Sequence, residues 1–310
     1  KRGVSMKIIF MGNPAIACPI LKSLQTSVHK VVAVVSNAPK AMGRGQTLKY
    51  TPVGEMTKLL KLPFIPAESL KDEVFINQLK ALNPDLIVIV AFRILPNEVL
   101  AIPKMGSINL HTSLLPKYRG AAPIQHALMN GDQFTGITTL LIEPKVDTGA
   151  IIFQEKIPIF PEDNFGTLSE KMAEQGGELV LRSIDALNRD FQPTPQNNDV
   201  ATTAPKILKE MYIINWSKDA KSIHNKVRGL SGAFTTLNQK RLKVFKTAVL
   251  RNNSSGDPGQ IILIDKNRLA ITCGKGALEL IEIQMEGNKM MLASEWMKGA
   301  QLSENISFGA

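Results

Sequence analysis

The sequence predicts an α/β protein in which a mostly parallel sheet domain precedes a smaller, strand-rich domain. Three observations lead to this prediction. Short apolar runs alternate with amphipathic segments over the first 189 residues, a polar segment with three prolines follows at 190–205, and five short strand-like runs occupy residues 206–310. Alternation of this kind favours an open parallel sheet, whereas closely spaced short strands favour a sandwich or a barrel.

The first domain, residues 6–189, is expected to be Rossmann-like. Its strands should pair in parallel because each intervening helix carries the chain back across the sheet. Residues 86–92 form a continuous apolar run, which suits a buried strand. The predicted strands are 7–11, 30–36, 85–92, 108–111, 136–142 and 151–159, and the predicted helices are 15–25, 52–61, 70–82, 123–129 and 168–187.

The segment 190–205 and the domain after it differ in character from the first domain. Pro193, Pro195 and Pro205 lie among Asn, Gln, Asp and Thr, a composition typical of a linker that does not bury itself. Five short strands separated by turns predict a small OB-like barrel, a fold that binds oligonucleotides. The predicted elements of this domain are the helix Ala220–Leu230 and strands at 235–237, 242–249, 260–264, 269–272 and 277–284.

The net charge of +10 is unevenly distributed. Residues 206–310 contain 16 Lys and Arg against 9 Asp and Glu, a balance of +7, which leaves +3 for the rest of the chain. A nearly neutral body with a basic appendage favours an enzyme that has a polyanionic partner. Charge alone does not distinguish RNA, DNA and membrane as that partner.

Several classes of protein are excluded by the composition. No apolar run reaches the roughly 18 residues of a membrane span and no secretory signal is recognisable, so we expect a cytoplasmic protein without a membrane partner. Cys18 and Cys273 stand far apart, which predicts reduced thiols and no metal site. No Gly-x-Gly-x-x-Gly follows the first strand, so NAD is not expected. Residues 1–5 precede Met6 and are expected to be an added remnant or a loose leader.

The most unusual residues lie between Asn109 and Gly149. Asn109 and His111 end a predicted strand, and the two-residue period places both side chains on one face. The carboxyl ends of such strands line the ligand crevice of an open α/β sheet, where an amide and an imidazole can stabilise an oxyanion. Asp147 precedes Thr148-Gly149 and could orient the imidazole and manage protons. On spacing alone, a structural Asn–His pair and an ordinary turn aspartate are the simpler interpretation.

The surrounding sequence resembles a known family. The run from Asn109 to Gln125 reads NLHTSLLPKYRGAAPIQ, and Asp147-Thr148-Gly149 follows it. Both stretches resemble the signature of the folate-dependent formyltransferases. This resemblance implies that Asn109, His111 and Asp147 are catalytic and that 10-formyltetrahydrofolate is the formyl donor. It also implies a folate pocket lined by Phe92, Ile94, Leu95, Ser113, Leu114, Leu115 and Pro116.

Three further stretches resemble the tRNA-acting branch of this family: residues 6–14, the loop Gly43-Arg44-Gly45 and the basic carboxy-terminal third. They imply that the acceptor is the α-amino group of methionyl initiator tRNA and that Arg44 reaches the acceptor arm. We expect the chain to act as a monomer. The other basic residues expected to face the tRNA are Lys206, Lys209, Lys240, Arg241, Lys243 and Lys246.

Two other functions remain open at this point. The chain could formylate an amino sugar or another small amine, which predicts activity without tRNA, or it could be an inactive RNA-binding relative, against which the intact Asn109, His111 and Asp147 argue. One stretch also departs from the family pattern. Residues 91–96 read AFRILP where many relatives have a glycine and one more residue, in a loop expected to line the pterin pocket.

Overall fold

The computed structural model describes residues 5–42, 47–189, 191–250, 256–265, 267–300, 302 and 307–309. The chain divides into two compact units. The first consists of Lys1–Pro123, Phe134–Pro158 and Ser169–Ala204, and the second of Ile124–Gln133, Ile159–Leu168 and Pro205–Ala310. The domain boundaries predicted from the sequence, 6–189, 190–205 and 206–310, stay a prediction.

A seven-stranded sheet forms the centre of the first unit. Four of its six pairings are parallel, and the two that involve β8 are antiparallel. In spatial order its strands are β5 (Phe64–Ala67), β2 (Lys30–Asn37), β1 (Lys7–Gly12), β6 (Leu86–Val90), β7 (Ser107–His111), β8 (Phe134–Leu141) and β9 (Ile151–Pro158). A separate hairpin is formed by β3 (Lys40–Met42) and β4 (Thr47–Lys49). The prediction of a mostly parallel α/β sheet is confirmed.

Two of the helices, over residues 52–59 and 73–81, begin at a side-chain cap. The Thr51 side chain accepts a hydrogen bond from Gly54 N at the start of one helix, and Asp72 accepts one from Phe75 N at the start of the next. Such caps satisfy backbone donors that have no partner inside the helix. The helices up to residue 187 are α1 (Ala17–Gln25), α2 (Pro52–Leu59), α3 (Glu73–Ala81), α4 (Asn97–Leu100), α5 (Pro123–Asn130) and α6 (Phe165–Leu187).

The core of the first unit follows from the apolar strands. All five residues of β6 are buried, and so are five of the six residues of β1. Strands buried on both faces occupy the middle of a parallel sheet. Because β6 pairs in parallel with β7, the carboxyl ends of these two strands lie side by side. The loops that follow these two strands contain the residues predicted to bind folate, and the predicted catalytic residues Asn109 and His111 lie at the end of β7 itself.

The second unit contains a six-stranded antiparallel sheet. The path runs β10 (Ala233–Leu237), β11 (Lys240–Leu250), β14 (Ala277–Met285), β13 (Arg268–Thr272) and β12 (Ile261–Asp265), and β15 (Met291–Leu292) pairs with β14. Two helices accompany it, α7 (Ala220–Leu230) and α8 (Ala293–Gly299). The five predicted strands and the helix Ala220–Leu230 are confirmed, whereas β15 and α8 were not predicted. The assignment of this sheet to the OB class stays a prediction.

Half-buried polar groups connect the separate chain segments of the second unit. The Arg228 guanidinium on α7 donates to the carbonyl oxygens of Phe160, Pro161 and Asp163, at 3.0–3.1 Å. Burial lowers the pKa of Arg228 below its usual value. On the same helix His224 Nδ1 lies 2.8 Å from Thr247 Oγ1, and burial, with a smaller effect of the Arg228 charge, lowers its pKa. These groups fasten the segment Ile159–Leu168 to α7.

In the part of the chain that the structure describes, no helix is long and apolar enough to cross a membrane. Within the same residues, no group of three or more His, Cys, Asp and Glu side chains is arranged to hold a metal ion.

Candidate active site

Asn109 and His111 lie on β7, between the parallel neighbour β6 and the antiparallel neighbour β8. Asn109 pairs with Leu140 and His111 with Thr138, so the two side chains share a face of the sheet. Asn109 is half-buried, and its carboxamide forms no hydrogen bond with the described residues. The Asn109 amide is therefore available to a ligand at the carboxyl end of the strand.

His111 is held by one bond and faces a carboxylate with its other ring nitrogen. Its Nε2 lies 2.8 Å from the Tyr118 carbonyl oxygen, and because a carbonyl only accepts, Nε2 must carry the hydrogen. Nδ1 lies 3.6 Å from Asp147 Oδ2, with the two side chains only 6% and 11% exposed. When the ring is neutral, its Nδ1 therefore has a lone pair that faces the carboxylate. When Nδ1 also carries a proton, the ring is positively charged and its contact with Asp147 becomes an ion pair.

Asp147 is positioned by a strained turn between β8 and β9. Its φ of 54° is in the left-handed region, which costs a non-glycine residue about 1–2 kcal/mol. Its Oδ2 accepts a hydrogen bond from Gly120 N at 2.8 Å. Gly149 closes the turn so tightly that a Cβ there would lie 1.8 Å from the Leu141 carbonyl oxygen. The Asp-Thr-Gly sequence is thus explained by backbone geometry as well as by chemistry.

Hydrogen bonds join the loop after His111 to β8 and β9, the antiparallel strands at one edge of the sheet. Ser113 Oγ donates to Lys117 O at 2.6 Å, and Thr138 Oγ1 donates to Ser113 O at 2.6 Å. Gln154 Nε2 donates to Leu115 O at 2.9 Å and to Thr138 Oγ1 at 2.8 Å. Thr138 and Gln154 were not singled out from the sequence, because nothing local marks a strand residue as the support of a loop 25 or 39 residues away.

Comparisons with known proteins show the family of this chain. A family model described as formyl transferase matches residues 6–184, and one described as formyl transferase, C-terminal domain, matches residues 206–301. The chain belongs to the formyl transferase family. It is 43% identical to a methionyl-tRNA formyltransferase of Thermodesulfovibrio yellowstonii, with 98% of this chain and 99% of the relative covered. It is 40% identical to one of Caldanaerobacter subterraneus, with 96% and 98% covered.

Solved structures share the fold of this formyl transferase at low sequence identity. HypX from Aquifex aeolicus in complex with tetrahydrofolic acid has a TM-score of 0.68 at 19% identity, with 95% of this chain and 47% of HypX covered. WlaRD, a sugar 3N-formyl transferase solved in the presence of dTDP and 5-N-formyl-THF, has a TM-score of 0.66 at 18% identity, with 93% and 100% covered.

The residues predicted to bind folate in this family member lie in two loops at one edge of the sheet. Phe92, Ile94 and Leu95 follow β6, and residues 113–116 follow β7. Ile94 is 76% exposed and Phe92, Leu114 and Pro116 are half-buried, whereas Leu95, Ser113 and Leu115 are buried beneath them. The accessible members are therefore the ones that we expect to touch a ligand. A cavity of about 550 Å³ borders the first loop, lined by Lys71, Glu73, Ile76, Leu95, Pro96, Asn97 and Glu98.

Arg93 explains how the unusual loop at 91–96 is held. Ala91, with φ of 49°, adopts the left-handed conformation that favours glycine. The Arg93 guanidinium donates to Ala67 O at 2.7 Å and to Glu68 O at 3.1 Å, at the end of β5. Burial lowers the pKa of Arg93 from its usual value. No local residue pattern predicts this anchoring role of Arg93.

The predicted tRNA-facing residues concentrate on the hairpin of β10 and β11. Lys240, Arg241 and Lys246 are exposed and Lys243 is half-buried, and the Arg241 guanidinium lies 4.3 Å from the centre of the Phe234 ring. Lys206 and Lys209 are exposed on the segment before α7. Arg44, with its flanking Gly43 and Gly45, lies outside the described residues.

Proposed function

We propose that this chain transfers the formyl group of 10-formyltetrahydrofolate to the α-amino group of methionyl initiator tRNA. One observation carries the proposal: the Asn109 amide, which has no hydrogen-bond partner among the described residues, shares a strand face with His111, and the His111 ring faces Asp147. The chain that holds these residues is 43% identical, over 98% of its length, to a relative named methionyl-tRNA formyltransferase. Nothing in the structure specifically favours an amino sugar as the acceptor.

The proposed chemistry begins with the amine. A free α-amino group titrates at pH ~8 and the amine of an aminoacyl ester titrates lower, so a useful fraction of the acceptor is neutral and nucleophilic at neutral pH. It forms a bond to the formyl carbon, and the formyl oxygen gains negative charge as its double bond opens. Asn109 donates a hydrogen bond to that oxygen, an interaction that is strongest when the charge is fully developed. The folate supplies the formyl group and leaves as an amine.

His111 and Asp147 manage the proton in this proposal. His111 keeps Nε2 on the Tyr118 carbonyl oxygen and offers Nδ1 to the reaction. The proton released by the attacking nitrogen is shared between Nδ1 and the Asp147 carboxylate, and is then returned to the departing nitrogen as the carbon–nitrogen bond breaks. The protonated ring also adds positive charge beside the formyl oxygen. The accessible apolar side chain of Ile94 and the half-buried Phe92 fit a flat, partly apolar ligand such as a pterin.

In this proposal the second unit binds the tRNA. Residues 206–310 would form an OB-like domain after a catalytic domain at 6–189 and a linker at 190–205, in a protein that acts as a monomer in the cytoplasm. Lysine and arginine on one hairpin suit a phosphate backbone, because neutralising phosphates releases counterions. The Arg241–Phe234 pair adds a flat surface against which a base or a sugar can pack.

The assay for the proposed function uses the protein, 10-formyltetrahydrofolate and charged initiator tRNA, and measures formyl-methionine released from the tRNA. Parallel reactions contain free methionine or a dTDP-linked amino sugar as the acceptor. We expect rapid formylation of the charged tRNA only. Preference for a small amine, or no transfer to any acceptor, would contradict the proposal.

The basic hairpin gives a prediction about tRNA use. The triple variant Lys240→Gln, Arg241→Gln, Lys246→Gln is expected to raise the KM for tRNA while kcat changes less than twofold. The slope of log affinity against log salt should fall by about 2 to 3, because each lost phosphate contact contributes 0.7 to 0.9.

A matched control removes the same charge from the first unit. Lys22→Gln, Lys30→Gln, Lys80→Gln replaces three exposed lysines of the first unit and should leave the KM and the salt slope unchanged. Equal effects of the two triple variants would show that net charge, rather than the hairpin, determines tRNA affinity.

A further inference from the structure

Residues 194–204, within the segment predicted to be a linker, are bonded to the loop that carries the catalytic motif. Ala204 N donates to Arg119 O at 2.7 Å, and Arg119 N donates to Thr202 O at 2.9 Å. Tyr118 N donates to Thr202 Oγ1 at 2.9 Å. The Tyr118 carbonyl oxygen accepts the hydrogen bond from His111 Nε2, so residues 194–204 stabilise the loop that holds the imidazole.

The Gln196 carboxamide joins the two loops that set the spacing of His111 and Asp147. Its Oε1 accepts from Arg119 Nε at 3.1 Å and from Nη2 at 2.7 Å. Its Nε2 donates to Asp147 O at 2.9 Å and to Gly149 O at 2.8 Å. Gln196 is half-buried although most of its neighbours in the segment are exposed.

The chemistry of the four partners fixes which way this amide points. Arginine is always a donor, so it must face the carboxamide oxygen, and the two backbone carbonyls only accept, so they must face the NH₂ group. Both hydrogens of that group are used, on carbonyls that flank Thr148. The bonds hold the turn in which Asp147 adopts its strained left-handed conformation.

We propose that Gln196 is a positioning residue for the His111–Asp147 pair, an inference that rests on the proposed function. The imidazole is held through the loop of Tyr118 and Arg119, and the carboxylate through the turn at 147–149. These loops leave different strands, β7 and β8, and Gln196 bonds to both. A displacement of about 1 Å between reacting groups lowers a rate by about 100-fold, so the bridge affects turnover rather than substrate binding.

Gln196→Glu keeps the bonds from Arg119 and removes those to the turn at 147–149, the two halves of the bridge that Gln196 forms. A glutamate keeps the acceptor for Arg119 as an ion pair but has no hydrogens for Asp147 O and Gly149 O. We expect kcat for formyl transfer to fall by about 10- to 100-fold, with the KM values for tRNA and folate within twofold of wild type and an unchanged melting temperature. Gln196→Ala, which removes both halves, should lower kcat at least as much.

Asn198→Ala is the matched control. Asn198 Oδ1 accepts from Arg119 Nη2 at 2.8 Å, but its side chain has no bond to the turn at 147–149. We expect wild-type kcat from this variant. A kcat of Gln196→Glu within twofold of wild type, or an equal loss in Asn198→Ala, would overturn the proposal.

A spectroscopic readout makes this test independent of the proposed activity. The chain has four histidines, so the ring nitrogen resonances of His111 can be assigned in ¹⁵N-histidine-labelled protein by their loss in His111→Gln. We expect these resonances to shift in Gln196→Glu and to stay in place in Asn198→Ala. An unmoved His111 signal in Gln196→Glu refutes the positioning role even in a protein that transfers no formyl group. A wild-type protein without transfer refutes the proposed function instead.

Discussion

Asn109→Ala is expected to lower kcat for formyl transfer by about 100- to 1,000-fold, because one donor to a developing oxyanion contributes about that much. The Asn109 amide has no partner among the described residues, so its removal leaves no buried group unsatisfied and the fold should be unaffected. The dissociation constant of the tRNA should stay within twofold of wild type. Steady-state kinetics with charged initiator tRNA and a melting curve test both statements.

Ser107→Ala provides the control on the same strand. Ser107 is two residues before Asn109 on β7, and its buried hydroxyl has no hydrogen-bond partner in the described part of the chain, so its loss should leave kcat unchanged and stability equal or slightly higher. A kcat of Asn109→Ala within threefold of wild type would remove Asn109 from the reaction. A comparable loss in Ser107→Ala would attribute the effect to the strand rather than to the amide.

Asp147→Asn is expected to lower kcat by about 100- to 10,000-fold, the usual contribution of a general acid or base. The amide oxygen of an asparagine can still accept the hydrogen bond from Gly120 N, so the turn should keep its shape. That oxygen, which also faces His111 Nδ1, is neutral, however, so it can neither form an ion pair with a protonated imidazole nor take up the transferred proton. The KM values should change little, since the loss arises in the transition state.

Glu143→Gln is the control for Asp147→Asn and tests whether neutralising any carboxylate in this part of the chain lowers kcat. Glu143 is an exposed residue just after β8, and its neutralisation should leave kcat within twofold of wild type. Wild-type turnover in Asp147→Asn would contradict the proton-sharing role of Asp147.

The central strands of the seven-stranded sheet can be predicted from residue patterns, whereas its edge strand β5 and the hairpin of β3 and β4 cannot. The run of β6 is apolar throughout, so its burial in the middle of a parallel sheet could be predicted. The strand β5 is four residues long and contains Pro66, which removes a backbone donor, and it could be located only by its pairing with β2 at the edge of the sheet. The hairpin of β3 and β4 is too short to carry a period.

The candidate site divides in a similar way. The two-residue period of a strand is enough to predict that Asn109 and His111 share one face. On spacing alone Asp147 is an ordinary turn aspartate, and its catalytic role was predicted only through the family resemblance. Its left-handed turn depends on the close approach of Gly149 to Leu141 rather than on a local pattern. Gln196 and its segment were predicted from composition to be a linker. Hydrogen bonds to residues 47 to 77 positions away leave no trace in a local composition.

The most direct test of this account is a double-mutant cycle for formyl transfer with His111→Gln, Asp147→Asn and the combined variant. If the two side chains share one proton, the first substitution already disables the pair, and the double variant should be about as slow as the slower single variant. Losses of kcat that multiply in the double variant would mean that His111 and Asp147 act independently, and would contradict the account.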